Sequence, residues 1–156
     1  MVPNAFEVER KSVESMLVAA LRMNGKYSDA GKGFSQLGKR FSRHICGKAL
    51  MLHYDPEYKE SDASYEVCMP IRKGKSTDNI EVRELAGGPC LSLIHTGPYD
   101  QIGPAYIKII EFARQQEYQI EAPTREIYLK GPGMILKGNP KKYVTEIQML
   151  IKETTS

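Results

Sequence analysis

The chain has 156 residues, 41% of them apolar and 26% charged, which fits one globular domain and excludes a disordered chain. Its net charge is +3, with Lys and Arg scattered along the sequence rather than massed, so direct DNA binding is not expected. No apolar run approaches the roughly 18 residues that cross a bilayer, and the N-terminus MVPNAFEVERK lacks the apolar core and cleavage site of a secretory signal, so a cytoplasmic protein without a membrane partner is expected.

In chain order, Val18-Ala-Ala-Leu21 reads as a short buried strand ended by the turn at Gly25. Ser28 then reads as the cap of a helix whose buried stripe is Ala30, Phe34, Leu37 and Phe41. Strands are expected over 48–54 and 65–71, followed by the polar connector Arg72-Lys-Gly-Lys-Ser-Thr-Asp-Asn79. Cys90-Leu-Ser-Leu-Ile94 repeats the first strand and stops at Gly97. Asp100 repeats the cap, and Ile102, Tyr106, Ile109 and Ala113 repeat the helical stripe, with Pro104 early in the helix where its missing N–H costs least. Strands over 124–130 and 143–151 close the chain, joined by a long hairpin loop at 131–142 that holds three Gly and two Pro.

These elements are two copies of one unit. Gly25 and Gly97, Tyr27 and Tyr99, Gly31 and Gly103, and Phe34 and Tyr106 are each 72 residues apart. Val8-Glu9 falls on Ile80-Glu81 and Leu21 on Leu93 at the same offset. Tyr54 pairs with Tyr128 at 74 and Glu66 with Glu146 at 80, the slippage falling in loops. The predicted fold is α+β, a single domain over 1–156. It has two pseudo-twofold-related βαββ modules, module one at about 6–71 and module two at about 80–151, with the connector 72–79 between. Together they are expected to form a curved antiparallel sheet with two helices on one face and a ligand groove between the modules.

Alternation along 124–130 sorts Ile127 and Leu129 under the helices and Glu126 and Tyr128 onto the opposite face, with Leu52 and Tyr54 at the matching positions. A carboxylate walled by aromatic rings is costly to keep charged, and a lipophilic cation offsets that cost, each ring face adding about 0.5–2 kcal/mol. The bland alternative is a rim position for Glu126, solvated or paired with Arg125 or a lysine. His53 and His95 lack a nucleophile motif nearby, and Gly87-Gly88-Pro89 is not a phosphate loop. Cys46, Cys68 and Cys90 have no ligand spacing with the three histidines, so free thiols, no metal and no cofactor are expected. Glu66 and Glu146 read as structural, or as a second polar group of the groove.

The runs Ile94-His-Thr-Gly97-Pro98-Tyr99-Asp-Gln-Ile-Gly103, Arg125-Glu126-Ile127-Tyr128-Leu129 and Tyr143-Val-Thr-Glu146-Ile147 resemble the GyrI-like (gyrase-inhibitor-like) small-molecule-binding family. Gly25-Lys-Tyr27 and Tyr54-Asp55-Pro56-Glu57 agree in the first copy. The resemblance implies paired βαββ modules with a groove for small organic molecules, a domain type that serves as the effector domain of drug-sensing AraC- and MerR-type activators. It places Glu126 as the acidic residue and Tyr128 and Tyr54 as groove tyrosines, and Leu52, Tyr27 and Tyr99 complete the expected ligand-binding set. Few residues precede the first strand, so a stand-alone member is expected, binding amphipathic, cationic aromatic compounds. Two alternatives follow from the resemblance. One is a hydrolase of strained cyclopropane-containing alkylating compounds, with Glu126 activating water and Tyr128 donating a proton. The other is a gyrase-interacting protein.

Overall fold

The structure, a computed structural model, describes residues 7–55, 61–131 and 138–152. Pro56-Glu57 of the first-copy motif and residues 132–137 of the expected hairpin loop lie outside them. The chain runs β1 (Glu9–Val13), β2 (Met16–Gly25), α1 (Ala30–Phe41), β3 (Leu50–His53), β4 (Ala63–Pro70), β5 (Ile80–Leu85), β6 (Gly88–Thr96), α2 (Gly103–Gln115), β7 (Gln119–Ile120), β8 (Thr124–Lys130) and β9 (Val144–Lys152). No helix among the described residues is long and apolar enough to cross a membrane.

Two compact units form, one from Glu14–Gly87 and the other from β1 with the chain from Gly88 onward. They are called here the α1 unit and the α2 unit. In the α1 unit the antiparallel strand order is β5-β2-β4-β3; in the α2 unit it is β1-β6-β9-β8, with β7 also on β9. Each contains the expected βαββ run, β2-α1-β3-β4 in one and β6-α2-β8-β9 in the other, and the fold is α+β as predicted. The edge strand of each unit comes from the other sequence copy: β1 of the first copy pairs with β6, and β5 of the second pairs with β2. The compact units therefore divide after Val13 and Gly87, whereas the copies expected from sequence divide in the 72–79 connector.

Local chemistry explains the repeated turn. Gly25 and Gly97 sit at φ 141° and 132°, which side-chain-bearing residues rarely adopt, and each ends a central strand just before a 3-10 turn, Tyr27–Asp29 or Tyr99–Gln101. Those turns lead the chain into the helices. Ser28 and Asp100 are inside them, and neither helix start carries a side-chain cap bond, contrary to the capping expected from sequence.

The helices pack as their stripes dictate. Ala105, Ile109 and Ala113 of α2 cover Leu91, Leu93, Ile147, Met149 and Ile151 in one buried cluster. In α1, Gly33 brings the helix close to its sheet, since a Cβ there would lie 2.7 Å from Met23 Sδ and from Val67 Cγ2. Every strand thus has a helix face and an opposite face, and that division sorts the polar residues.

Candidate functional site

Glu126 lies on the helix face of the α2 unit. It pairs in register with Ile147, a member of the cluster under α2, and Tyr128 pairs with Thr145. The carboxylate is 8% exposed. Tyr106 of α2 donates a hydrogen bond to its Oε2, and Tyr128 donates one to Oε1 at 3.0 Å. Tyr99 meets Tyr128 edge-on, with ring centroids 5.5 Å apart, and lies 5.2 Å from the buried ring of Tyr143. The backbone pins this aromatic group in place. The Gly97 N–H donates to the Tyr143 carbonyl at 2.8 Å, and Gly131 leaves room for the Tyr99 hydroxyl, which a Cβ there would meet at 2.8 Å. Burial, then Tyr143 and Glu126, push the Tyr99 phenol up to about 12. Burial and the adjacent Glu126 charge raise Tyr128 well above the ordinary value.

The corresponding place in the α1 unit has other chemistry. Leu52 faces Glu66 and Ile127 faces Glu146, so β3 and β8 correspond at an offset of 75 residues. The bridge Ile45–Ile71 and the pair Ile120–Ile151 keep the same offset. Met51 and His53 therefore stand where Glu126 and Tyr128 stand, and Phe34 stands for Tyr106. Tyr27, the counterpart of Tyr99, packs on His53 at 5.2 Å and on Tyr65 at 5.1 Å, and the Tyr65 hydroxyl donates to the Lys26 carbonyl at 2.6 Å.

The opposite faces carry two ion-paired carboxylates. In the α1 unit Arg83 grips Glu66 with both amines, at 2.7 and 2.8 Å, and Tyr54 donates a further hydrogen bond to Glu66. Arg22 lies 4.3 Å over the Tyr54 ring and donates to Ser64 Oγ at 2.7 Å. Burial opposes the Glu66 charge, but the bonds from Arg83 and Tyr54 outweigh it and hold the carboxyl below its ordinary value. Burial and Glu66 push Tyr54 up to about 12. In the α2 unit Glu146 Oε2 receives Lys11 at 2.5 Å, Ser92 at 2.7 Å and Gln148 at 2.9 Å, which likewise outweigh burial and hold Glu146 down. Lys11 and Arg83 are 72 residues apart, so each edge strand supplies the cation for a carboxylate of the unit it joins.

Of the residues singled out from sequence, the structure gathers Glu126, Tyr128 and Tyr99. Glu126 and Tyr128 lie on the helix face, not on the opposite face that alternation assigned, because β8 pairs so that they share a face with Thr145 and Ile147. Tyr27 lies in the aromatic group of the α1 unit. Tyr54 and Leu52 lie on that unit's opposite face, Tyr54 bound to Glu66 and Leu52 fully buried. Their equation with Tyr128 and Glu126 was one residue out of step, and a one-residue slip reverses every side chain of a strand. Tyr106 and Tyr143 were missed as site residues. The helical stripe held the signal for Tyr106: a hydroxyl appears there in the second copy where the first has Phe34.

The fold is a doubled βαββ framework with polar groups buried beside aromatic rings. The chain belongs to the GyrI-like family: residues 6–152 match the GyrI-like small molecule binding domain. Among solved structures it is similar to the EcmrR C-terminal domain, at 24% identity and TM-score 0.81 over 95% of this chain and 98% of that one. It spans 58% of the EcmrR chain seen in a complex with DNA, also at 24% identity over 95% of this chain, with TM-score 0.84. A hydrolase encoded by lin2189 from Listeria innocua matches at 15% identity and TM-score 0.69, over 94% of this chain and 92% of that one. SAV2435 bound to tetraphenylphosphonium matches at 16% identity and TM-score 0.58, over 94% of both chains. At these identities the likeness is one of fold. No curated protein matches the chain.

Proposed function

We propose that this domain binds amphipathic, cationic aromatic compounds against Glu126, with the rings of Tyr106, Tyr128, Tyr99 and Tyr143 forming the aromatic wall. The observation that carries this reading is the buried Glu126 carboxylate held by two phenol hydroxyls. Phenol donors keep a carboxylate in place without neutralising it, so an arriving cation meets an ordered charge. Their rings add cation–π attraction of about 0.5–2 kcal/mol each. Glu66 and Glu146 already hold Arg83 and Lys11 and are structural in this reading. Tyr54 and Leu52 serve packing and the Glu66 cluster, and Tyr27 belongs to the counterpart of the site in the α1 unit. The tetraphenylphosphonium held by SAV2435 is a lipophilic cation on the same fold.

The hydrolase reading uses the same Glu126–Tyr128 pair, whose hydrogen bond could relay a proton. It ranks second because a phenol raised well above its ordinary value is a poorer acid. The test is a fluorescence titration with the cationic dye rhodamine, followed by mass analysis of the recovered dye. Saturable binding weakened about tenfold or more in Glu126→Gln, with the dye intact, is expected. Undiminished binding in that variant would remove Glu126 from the site, and a mass change would move the assignment to hydrolysis.

A further inference from the structure

Cations that are scattered along the sequence are gathered by the fold at one end of α1. The last turn of the helix carries Lys39 and Arg40, and the 3-10 turn after it carries Arg43. The connector after β4 returns to the same end. The Arg72 N–H donates to the His44 carbonyl at 2.8 Å and the Cys46 N–H to the Pro70 carbonyl at 2.9 Å, while Ile45 bridges Ile71. Gly74 then lies against the end of the helix, where a Cβ would fall 2.6 Å from Phe41 Cε1. This folding-back brings the segment that carries Arg72, Lys73 and Lys75 to the end of the helix where Lys39, Arg40 and Arg43 follow one another. All of these side chains are exposed, and none is in an ion pair among the described residues. An open hollow of about 460 Å³ borders the patch at Lys39 and Arg40, lined also by Gln36, Thr77, Asn79 and Ile80.

Helix-dipole compensation accounts for cations in the last turn of α1. It does not account for the connector's Arg72, Lys73 and Lys75, which lie outside any helix. Unpaired like charges held together by the fold repel one another, and that repulsion is relieved by a dense anion. We propose that this face of the α1 unit docks the phosphate backbone of duplex nucleic acid, independently of the small-molecule site. The patch carries no exposed large apolar side chain; those of the described residues, Tyr99, Ile107 and Ile110, are all in the α2 unit. Without aromatic platforms it cannot stack the bases of a single strand, and without apolar anchors it lacks the hot spots of a protein partner and, at an anionic lipid surface, has charge attraction alone. A duplex offers one negative charge per about 1.7 Å of axis and asks only for cations and hydrogen-bond donors. The hollow supplies such donors from Gln36, Thr77 and Asn79 beside Lys39 and Arg40.

The test is fluorescence anisotropy of a labelled duplex DNA of about 20 base pairs, titrated with the full chain at about 50 to 200 mM salt. Binding that weakens steeply with salt is expected. The paired substitutions Lys39→Gln with Arg40→Gln, and Arg72→Gln with Lys73→Gln, should each weaken it at least about tenfold and make the salt slope shallower by about 1–2. Lys141→Gln with Lys142→Gln removes the same charge elsewhere and should leave affinity within about twofold. No binding at the lowest salt, equal weakening by the Lys141/Lys142 control, or binding to phosphatidylserine vesicles but not to the duplex would each overturn the proposal.

Discussion

Among the described residues, the buried carboxylates Glu66, Glu126 and Glu146 differ in what holds them. A bidentate arginine grips Glu66, a lysine with two neutral donors grips Glu146, and two phenols donate to Glu126. Burial, with the neighbouring carboxylates adding to it, raises the phenols. With Tyr54 and Tyr99 pushed up to about 12 and Tyr128 raised, part of the absorbance change of the nine tyrosines should come late in an alkaline ultraviolet titration. A raised folded-state pKa stabilises the fold fully below the ordinary value of 10.0, and that contribution is lost as pH climbs through about 12. Tyr54→Phe should remove one late-titrating group. A single transition of all the tyrosines near the ordinary value would contradict the buried phenol–carboxylate contacts.

Among the elements, α1 and the edge strands carry the testable packing. Gly33→Ala would press a methyl on Met23 and Val67, and a loss of about 1–3 kcal/mol is expected in chemical denaturation. A loss below about 0.5 kcal/mol would mean that α1 sits farther from its sheet. Arg83→Met removes a bidentate charged grip and should cost about 2–3 kcal/mol. Lys11→Met should cost less, about 1 kcal/mol, because Ser92 and Gln148 remain on Glu146. Both helices and most strands were legible in sequence because their apolar periodicity is set by burial, and β8 was read with its ends at Thr124 and Lys130. The edge strands β1 and β5 were not, since most of their side chains are at least partly exposed and carry no alternating apolar signal. The faces of β8 were misread for a related reason. An alternation fixes which residues share a face but not which face meets the helix, and the register that decides this depends on β9.

Across the whole molecule, the two βαββ runs share a framework and differ in chemistry. The turn glycines, the helical stripes and the edge-strand cations recur, while Met51, His53 and Phe34 stand where the second copy has Glu126, Tyr128 and Tyr106. One consequence is acid sensitivity. Glu66 and Glu146 are held below their ordinary value of 4.5, so their contribution is complete above it and is lost as pH falls through the lower folded-state values. Melting temperature should therefore fall below about pH 4.5, and less steeply in Glu66→Gln, which has one fewer such group. An identical acid limb in wild type and variant would contradict the Arg83–Glu66 assignment.

The most direct measurement is isothermal titration of tetraphenylphosphonium into wild type, Glu126→Gln and Glu66→Gln. Saturable binding is expected, weakened about tenfold or more in Glu126→Gln and retained in folded Glu66→Gln. Equal affinity in wild type and Glu126→Gln, or a loss confined to Glu66→Gln, would contradict it.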